Sequence, residues 1–528
     1  MQKPLGIQHP NFRIHGFKFI AFSLTLFALI LRLYQLGSEC LWMDEGFSIE
    51  TARRIWESFR IEPVRPLYHL FLALWMQIGQ SEFILRLPSA LFGSAAVLVL
   101  CFLGKHIVGE RASIIAATLM AVSPLHVNHS QEVRMYALTS LLTLLAMYWF
   151  ILFLRKPRLR YIALCLVFDL LSVAAFPLSA LLLVVQNMVL VLRARGVALR
   201  RWLFAEAVIL VAIAPIVIRT AQASFQISPD KSLGPSFLQV FELVGGLSLM
   251  SRGPAGSATA HAFDTYVFTT FLLIGFVVYM GWRRQEFKSD GWQYSLLLMW
   301  LFVPLLVTAL LAEIVHTQWL PRYLIYAAPA YFLLLGKSVE SLPTQRLKYL
   351  AVVLVLAMPT LRLVRYYQRV DRPDWRTVVA FLEDQVRPGD LIAVYRPGNG
   401  NLFAYYYQGN VPWVEIGYPM LQKPAPWTNQ RVAKILNGLP DKCERVWLVM
   451  SMYDPKAPPA IKRYVRDKYK ILGTKSFVQV QLLWFETGNR LSDQRLETAR
   501  LANHTLHNGG PTRIRTRDQP VMSRPLYR

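Results

Sequence analysis

The sequence predicts a polytopic α-helical membrane protein carrying a C-terminal α/β domain. Three observations lead there. Of 528 residues, 54% are hydrophobic and 17% charged, where soluble domains carry about 25% charged residues. Mean hydropathy is +0.34. About eleven apolar runs, most near spanning length, occupy residues 1–364, and beyond them the pattern changes to alternating helices and strands. A string of ordinary soluble domains is excluded, as is a disordered chain. Four cysteines are too few and too scattered for a disulfide scaffold. Lys and Arg number 57 and Asp and Glu 32, giving +25. In so apolar a chain that excess marks cytoplasmic loops more often than nucleic-acid binding, and the basic outer domain reads either as seated on anionic membrane lipids or as a solvated surface.

The apolar runs lie near 19–36, 88–108, 111–127, 136–154, 161–176, 177–192, 202–219, 263–282, 292–312, 323–341 and 349–364. Only Phe176-Pro177 divides the fifth from the sixth. The first follows a basic stretch but lacks a small-residue cleavage site, so it reads as a retained helix. Short basic loops set the orientation. Arg155-Lys156-Pro157-Arg158-Leu159-Arg160, the Arg193–Arg201 cluster, Arg283-Arg284, and Arg346 with Lys348 fall on one side, with Lys3, Arg13 and Lys18. A multi-pass protein of the cell inner (plasma) membrane follows, with its N-terminus cytoplasmic and its C-terminal domain extracytoplasmic.

Three outer segments are longer than turns. Residues 37–87 hold two helix-like stretches, near 44–60 and 66–78, suited to the membrane interface. Residues 220–262 are rich in Gly, Pro and Ser. Residues 365–490 form the α/β domain. Helices are expected at 374–386, 428–439 and 461–469, and strands at 391–395, 446–450 and 477–485. The loop Arg396-Pro397-Gly398-Asn399-Gly400 lacks a nucleotide-binding glycine pattern. Residues 491–528 are polar, without apolar period, and read as a disordered tail.

Candidate chemistry gathers on the outer side, where ionisable residues at helix ends are costly and often functional. Trp42-Met43-Asp44-Glu45 follows the first run. Helical neighbours diverge by about 100°, so Asp44 and Glu45 would not share one proton as a dyad does. One can serve as base while the other orients a partner. The plainer reading is an acidic pair at a helix N-terminus, favoured by the dipole. Ser130-Gln131-Glu132-Val133-Arg134-Met135-Tyr136 opens the fourth run, with Glu132 and Tyr136 on one helical face. Trp319-Leu320-Pro321-Arg322-Tyr323 opens the tenth. Arg134 and Arg322 either snorkel or grip a phosphate with a bidentate fork. A carboxylate that takes a hydroxyl proton, with arginines that stabilise a leaving phosphate, suits transfer from a phosphate ester.

Other groups carry plainer roles. Asp169 is read as a structural link within a helix rather than part of a proton path, Arg32 as a snorkelling side chain, and His69 as packed. His126 and His129 have no metal-ligand spacing. Cys101 and Cys165 read as buried hydrophobes, and the topology leaves a Cys40–Cys443 bridge open. Asn128-His129-Ser130 and Asn503-His504-Thr505 are sequons too short to place the protein in a secretory route.

The three clusters together resemble the membrane glycosyltransferases of the protein O-mannosyltransferase and aminoarabinose (lipid A) transferase type, with the GT-C fold. Trp42-Met43-Asp44-Glu45 matches their acidic pair in the first outer loop. Arg86-Leu87-Pro88-Ser89-Ala90-Leu91 is similar to the start of their second helix. Ser123-Pro124 with Ser130–Tyr136 resembles their third-to-fourth helix junction, and Arg322-Tyr323-Leu324 with Pro329 their late Arg-Tyr motif. The likeness is dense over residues 31–155 and thins to about 340. One departure stands out: where many members read His-Pro-Pro-Leu-Tyr, this chain has Val64-Arg65-Pro66-Leu67-Tyr68.

The resemblance implies a polyprenyl-phosphate sugar donor, an acceptor hydroxyl on a protein, glycolipid or glycan, and inversion at the anomeric carbon on the outer face. It implies Asp44 as base with Glu45 in support, and Arg134 and Arg322 at the lipid phosphate. Glu132, Tyr136, Tyr323, Tyr68 and Trp42 would shape the substrate pocket. No nucleotide cofactor is implied, nor a metal. Two rivals share the lipid-phosphate contacts: a transporter or flippase of lipid-linked glycans, and a glycan ligase. The first would favour a repeat between halves, which the sequence does not display. The orientation is testable. A topology reporter fused after residue 400 should read extracytoplasmic; a cytoplasmic reading would overturn helix parity and orientation together.

Overall fold

The computed structural model describes residues 10–55, 65–193, 197–226, 244–250, 257–283, 292–315, 320–369, 372–395, 399–417, 428–436, 443–451 and 457–487. The chain divides into two compact units. One comprises Met1–Glu39 and Phe47–Arg369, the other Cys40–Gly46 and Val370–Arg528. The expected tail at 491–528, most of the segment 220–262, Trp319, and Arg396-Pro397-Gly398 lie outside the described residues.

The first unit is helical because a backbone in lipid must satisfy its own polar groups. In chain order its helices are α1 (Pro10–Leu33), α2 (Met43–Arg53), whose first turn belongs to the second unit, α3 (Pro66–Trp75) and α4 (Glu82–Ile107). Next come α5 (Glu110–Val122), α6 (Pro124–Ser130), α7 (Tyr136–Arg155), α8 (Leu159–Ala175) and α9 (Leu181–Arg193). Then follow α10 (Val197–Gln226), α11 (Ala258–Arg283), α12 (Trp292–Val315), α13 (Ala328–Glu340) and α14 (Gln345–Gln368). Side chains define several ends. Ser81 caps α4 by accepting from Ile84 N, and Ser123 caps α6 by accepting from His126 N with Pro124 at the first position.

All eleven apolar runs are helical over much of their length, and seven helices are long and apolar enough to cross a membrane. Proline explains why the others are shorter. Ser123-Pro124 separates α5 from α6, and Phe176-Pro177 ends α8 and starts a 3-10 turn at Pro177–Ala180. The run expected at 323–341 is a 3-10 turn at Pro321–Leu324 followed by α13. Buried apolar side chains of α4, α5, α7 and α13, among them Leu100, Met120, Phe150 and Tyr331, form the central core. Exposed apolar faces remain on α1 (Phe19, Leu26, Ile30), α10 (Phe204, Val211) and α14 (Tyr349, Leu350), as a bilayer would require. Asp169 is buried and links α8 to α9, accepting from Cys165 Sγ at 3.3 Å and Gln186 Nε2 at 3.1 Å.

The second unit contains a five-stranded sheet. It runs α15 (Trp375–Gln385), β1 (Asp390–Tyr395), α16 (Asn399–Tyr406), β2 (Trp413–Ile416), α17 (Asn429–Leu436), β3 (Arg445–Ser451), α18 (Ala457–Lys468), β4 (Lys470–Phe477) and β5 (Val480–Glu486). The strand order is β2-β1-β3-β5-β4, with β1 parallel to β2 and β3, and β5 antiparallel to β3 and β4. One face packs Leu391, Val446 and Leu448 under Val432 of α17 and Ile461 of α18. On the other, Phe381 of α15 packs beside the stacked pair Trp447 and Trp484.

Four elements differ from expectation, the first being the short edge strand β2, where no strand was expected. The strand expected at 477–485 is a hairpin turn followed by β5, with Gln479 at φ 54° in the turn. β4 alternates half-buried and exposed residues at the sheet edge, so its apolar signal is faint. α16 begins with Asn399-Gly400-Asn401, poor helix formers, and is held by burial of Leu402 and Phe403. All four cysteines are free thiols, so Cys40 and Cys443 are not bridged.

Asp390 anchors this sheet. It is buried and accepts from Arg445 Nε at 2.8 Å and Nη2 at 2.6 Å, Trp447 Nε1 at 2.9 Å and Arg387 N at 2.8 Å. Burial alone would raise its carboxyl, but those hydrogen bonds outweigh burial and hold it below the ordinary value. A depressed native value stabilises the fold above the unfolded value of about 3.9, and that gain is lost as pH falls through the native value. Asp390→Asn should cost about 3 kcal/mol at pH 7, the low end for breaking a buried pair, because Arg445 is partly exposed. It should also flatten the loss of stability below about pH 4. Hydrogen exchange of the β1 and β3 amides reads both effects.

Candidate active site

The acidic pair belongs to the second unit. Trp42 precedes α2, and Glu45 is its third residue. Glu45 Oε2 accepts from Trp42 N at 3.1 Å, half of a capping box, and from Arg372 Nη1 at 2.8 Å. The Glu45 side chain is fully buried and that of Arg372 is 11% exposed. Asp44 is half-buried. The two neighbouring carboxylates thus differ in burial: Glu45 is fully enclosed in an ion pair, and Asp44 is half-buried. The segment is held from α16. Tyr406 Oη accepts from Leu41 N at 2.7 Å, and Gly46 lies so close to Leu402 that a Cβ would meet its Cδ2 at 2.9 Å.

The arginine and aromatic set belongs to the first unit. Residues 131–135 are not helical, so Glu132 and Tyr136 do not share a helical face as expected; α7 begins only at Tyr136. Instead α6 delivers the partners of Glu132. Its carboxylate accepts from Asn128 Nδ2 at 2.9 Å and lies 2.7 Å from His129 Nδ1. Its carbonyl accepts from Ser89 Oγ at 2.7 Å. The His129 ring packs 4.8 Å from that of Tyr136. Arg134 is buried, donates from Nη1 to Ser48 Oγ at 3.1 Å and lies over the Tyr136 ring at 5.9 Å. Arg322 is half-buried and lies over Tyr323 at 5.6 Å. Arg134, Arg322 and Arg65 all act electrostatically on Tyr136. Tyr68 is buried on α3 with His69 edge-on at 5.8 Å. Burial, then the charges of Arg65 and Arg134, push His69 down to about 3, so its imidazole stays neutral at physiological pH.

Within the first unit, then, Glu132, Arg134, Tyr136, Tyr323 and Arg322 gather, and Tyr68 is buried on α3. Within the second, Trp42, Asp44 and Glu45 do. Sequence reasoning missed Arg372, which carries no local signal beyond an arginine before a proline. It also missed Arg65 as a cation beside Tyr136, although its departure from the family pattern marked the position. Arg32 does not snorkel. It is fully buried and donates to Ser130 Oγ at 3.2 Å and to the carbonyls of Ala28, Ala121 and Met120, with Nη2 3.0 Å from His126 Nδ1. Among the described residues no group of three or more His, Cys, Asp or Glu is placed to hold a metal ion.

Residues 62–219 match the family described as Dolichyl-phosphate-mannose-protein mannosyltransferase. No curated protein matches the chain. Among solved structures, it is similar to ArnT from Cupriavidus metallidurans in the apo state (TM-score 0.55, 13% identity, covering 88% of this chain and 97% of that one). The same protein bound to undecaprenyl phosphate aligns with a TM-score of 0.52 at 13% identity, with the same coverage. The archaeal oligosaccharyltransferase AglB from Archaeoglobus fulgidus, in complex with an inhibitory peptide and a dolichol-phosphate, aligns with a TM-score of 0.53 at 11% identity, covering 88% of this chain and 74% of that one. At these identities the likeness establishes the fold: a polytopic GT-C membrane architecture with a small C-terminal sheet domain.

The buried pair gives a direct test. Arg372→Met strands the Glu45 carboxylate, and breaking a buried pair costs about 3–5 kcal/mol. Hydrogen exchange at the amides of residues 41–46 should accelerate accordingly. Adding Glu45→Gln to that variant should restore most of the protection, because the buried charge is then gone.

Proposed function

We propose that the protein is an inverting glycosyltransferase that moves a sugar from a polyprenyl-phosphate carrier to an acceptor hydroxyl on the extracytoplasmic side of the membrane. The observation that carries this reading is the pairing of chemistries. A half-buried carboxylate beside an enclosed one, and a set of arginines around Tyr136, are what a proton acceptor and a departing phosphate each need. The fold neighbours support it: one was solved with undecaprenyl phosphate, another with a dolichol-phosphate.

In this reading Asp44 removes the acceptor's proton. The acceptor oxygen attacks the anomeric carbon from the face opposite the carrier, and the bond from that carbon to the phosphate oxygen breaks. The polyprenyl phosphate leaves with the electron pair, its charge stabilised by Arg134 and Arg322. Arg65 adds a third positive charge nearby. Glu45, held by Arg372 and by the start of α2, keeps Asp44 in place. Glu132 fixes Asn128 and His129, and Tyr68, Tyr136, Tyr323 and Trp42 shape the walls. A flippase reading would need the phosphate contacts but no base, so the carboxylate separates the two.

Asp44→Asn keeps size and hydrogen bonding but cannot take a proton. Transfer from a labelled polyprenyl-phosphate sugar should fall by about 10²–10⁴-fold while donor binding is retained. Glu45→Gln should reduce transfer less. Arg134→Ala and Arg322→Ala should each weaken donor use by about 1.5–3 kcal/mol, with only partial rescue by Lys. Full transfer by Asp44→Asn and Glu45→Gln alike would point to a transporter or to a base elsewhere.

A further inference from the structure

α14 presents two unlike faces. One packs inward. Tyr266 Oη donates to Val355 O at 3.2 Å, Leu363 is buried with Val122 and Val127, and Tyr366 Oη donates to Gln131 Oε1 at 2.9 Å. Tyr367 Oη donates to Leu31 O. The last two bonds fix the C-terminal end of α14 beside that of α1 and beside the stretch 131–135, which carries Arg134. The other face is exposed and apolar: Leu350, Leu354 and Leu361 are 65%, 49% and 60% exposed. They follow one another by four and seven residues along one ridge, and four residues further the ridge reaches Arg365. At about 100° per residue, Leu354 and Leu361 point about 100° or more away from Val355, Leu363 and Tyr366.

Arg365 belongs to a stripe. Arg362 precedes it by three residues and Arg369 follows it by four. The three leave the helix within about 60° of one another. Arg362 is half-buried, Arg365 and Arg369 are exposed, and both exposed guanidinium groups act electrostatically on Arg362. Like charges at these spacings weaken a helix. Attraction of cations to a helix C-terminus is confined to the last turn, so it accounts for Arg365 and Arg369 but not for Arg362. An anion shared among the three would replace their repulsion with attraction, and guanidinium forks match phosphate oxygens.

We propose that this side of α14 binds an anionic glycerophospholipid of the surrounding bilayer, with its phosphate held by Arg362, Arg365 and Arg369 and an acyl chain laid along Leu361, Leu354 and Leu350. The dimensions agree. From Leu354 to Arg365 the helix rises about 16 Å, close to half of a hydrocarbon core about 30 Å thick. The chain of one leaflet therefore ends where the arginines begin. Continuity of an apolar ridge with a cationic stripe selects an amphiphile, since a soluble anion would use the stripe alone. The ridge faces outward, where bulk phospholipid is the abundant species, and not toward the packed side that holds Gln131. This favours a phospholipid over the polyprenyl carrier. The site stands on the membrane architecture alone and does not rest on the transferase reading.

The test is native mass spectrometry of the full chain in detergent, titrated with phosphatidylglycerol or with phosphatidylcholine of the same acyl chains. The wild type should retain one phosphatidylglycerol about tenfold more tightly than the zwitterionic lipid. Arg365→Gln and Arg369→Gln should each weaken that retention about fivefold, and the double variant about 25-fold. Arg346→Gln, at the other end of α14, should leave it unchanged. Thermal midpoints are followed alongside, so that an unfolded variant is recognised and the remaining single variant decides. Equal retention of the two lipids overturns the proposal, as does a folded double variant that binds like the wild type. Displacement by an equal concentration of inorganic phosphate would reduce the site to anion binding without acyl contact. Displacement by equimolar polyprenyl phosphate would assign it to the carrier. Either result refutes the phospholipid assignment. The readout needs no turnover, so its failure leaves the transfer chemistry standing.

Discussion

The guanidinium of Arg32 governs the layout of the helical unit. A charged side chain buried inside a protein costs several kcal/mol unless its donors are met, and Arg32, in the last turn of α1, is fully buried. Here they are met by neutral groups: three backbone carbonyls, the Ser130 hydroxyl and the His126 ring. The carbonyls belong to α1 and α5, so one side chain sets the distance between them. His126 carries the link to α7 through Ser140, 3.1 Å from Nε2. Ser130 closes against α4 at Gly93, where a Cβ would collide with its Oγ. Four helices and α6 are thereby registered around one cation. The non-helical stretch 131–135 leaves this junction, and it carries Glu132 and Arg134. Gln131, its first residue, is itself pinned, donating to the carbonyls of Arg32 and Tyr34 and accepting from Tyr366 Oη.

Hydropathy made the helical unit legible in sequence, because apolar length is nearly all that a bilayer selects for. The ends were less so. Ser123-Pro124 and Phe176-Pro177 were visible, but whether a proline kinks a helix or splits it depends on what can replace the lost hydrogen bond. In the sheet unit β1 and β3, buried on both faces, announced themselves. β4 did not, since an edge strand with Lys470, Gly473 and Lys475 has little apolar alternation to read. α16 was hidden for the opposite reason: tertiary burial of Leu402 and Phe403 overrides a start of Asn and Gly.

The site followed the same division. Asp44, Glu45, Arg134 and Arg322 stood out as charges beside apolar runs. Their partners did not. Arg372 lies more than three hundred residues from Glu45, and only the folded chain selects it. The expected face shared by Glu132 and Tyr136 failed because periodicity assumes a helix that starts later than Glu132. His129, read as a histidine without metal spacing, is instead the neighbour that Glu132 holds.

The acidic pair shows how one local rule divides two like residues. At the second and third positions of α2 the side chains diverge by about 100°. The third position is the one from which a carboxylate folds back onto the N–H that precedes the helix, and Glu45 does so. Once turned that way it is buried, and a buried carboxylate without a cation would protonate or destabilise the segment, so Arg372 is required. Asp44, one position earlier, cannot make that return contact. It remains the half-buried member of the pair. The inequality between the two acids is therefore already present in helix geometry, and the α/β unit supplies the rest. Its Arg372 neutralises Glu45, and its Tyr406 and Leu402 fasten the backbone on either side. A carboxylate pair that lies among the membrane helices in sequence is, in structure, a part of the C-terminal unit.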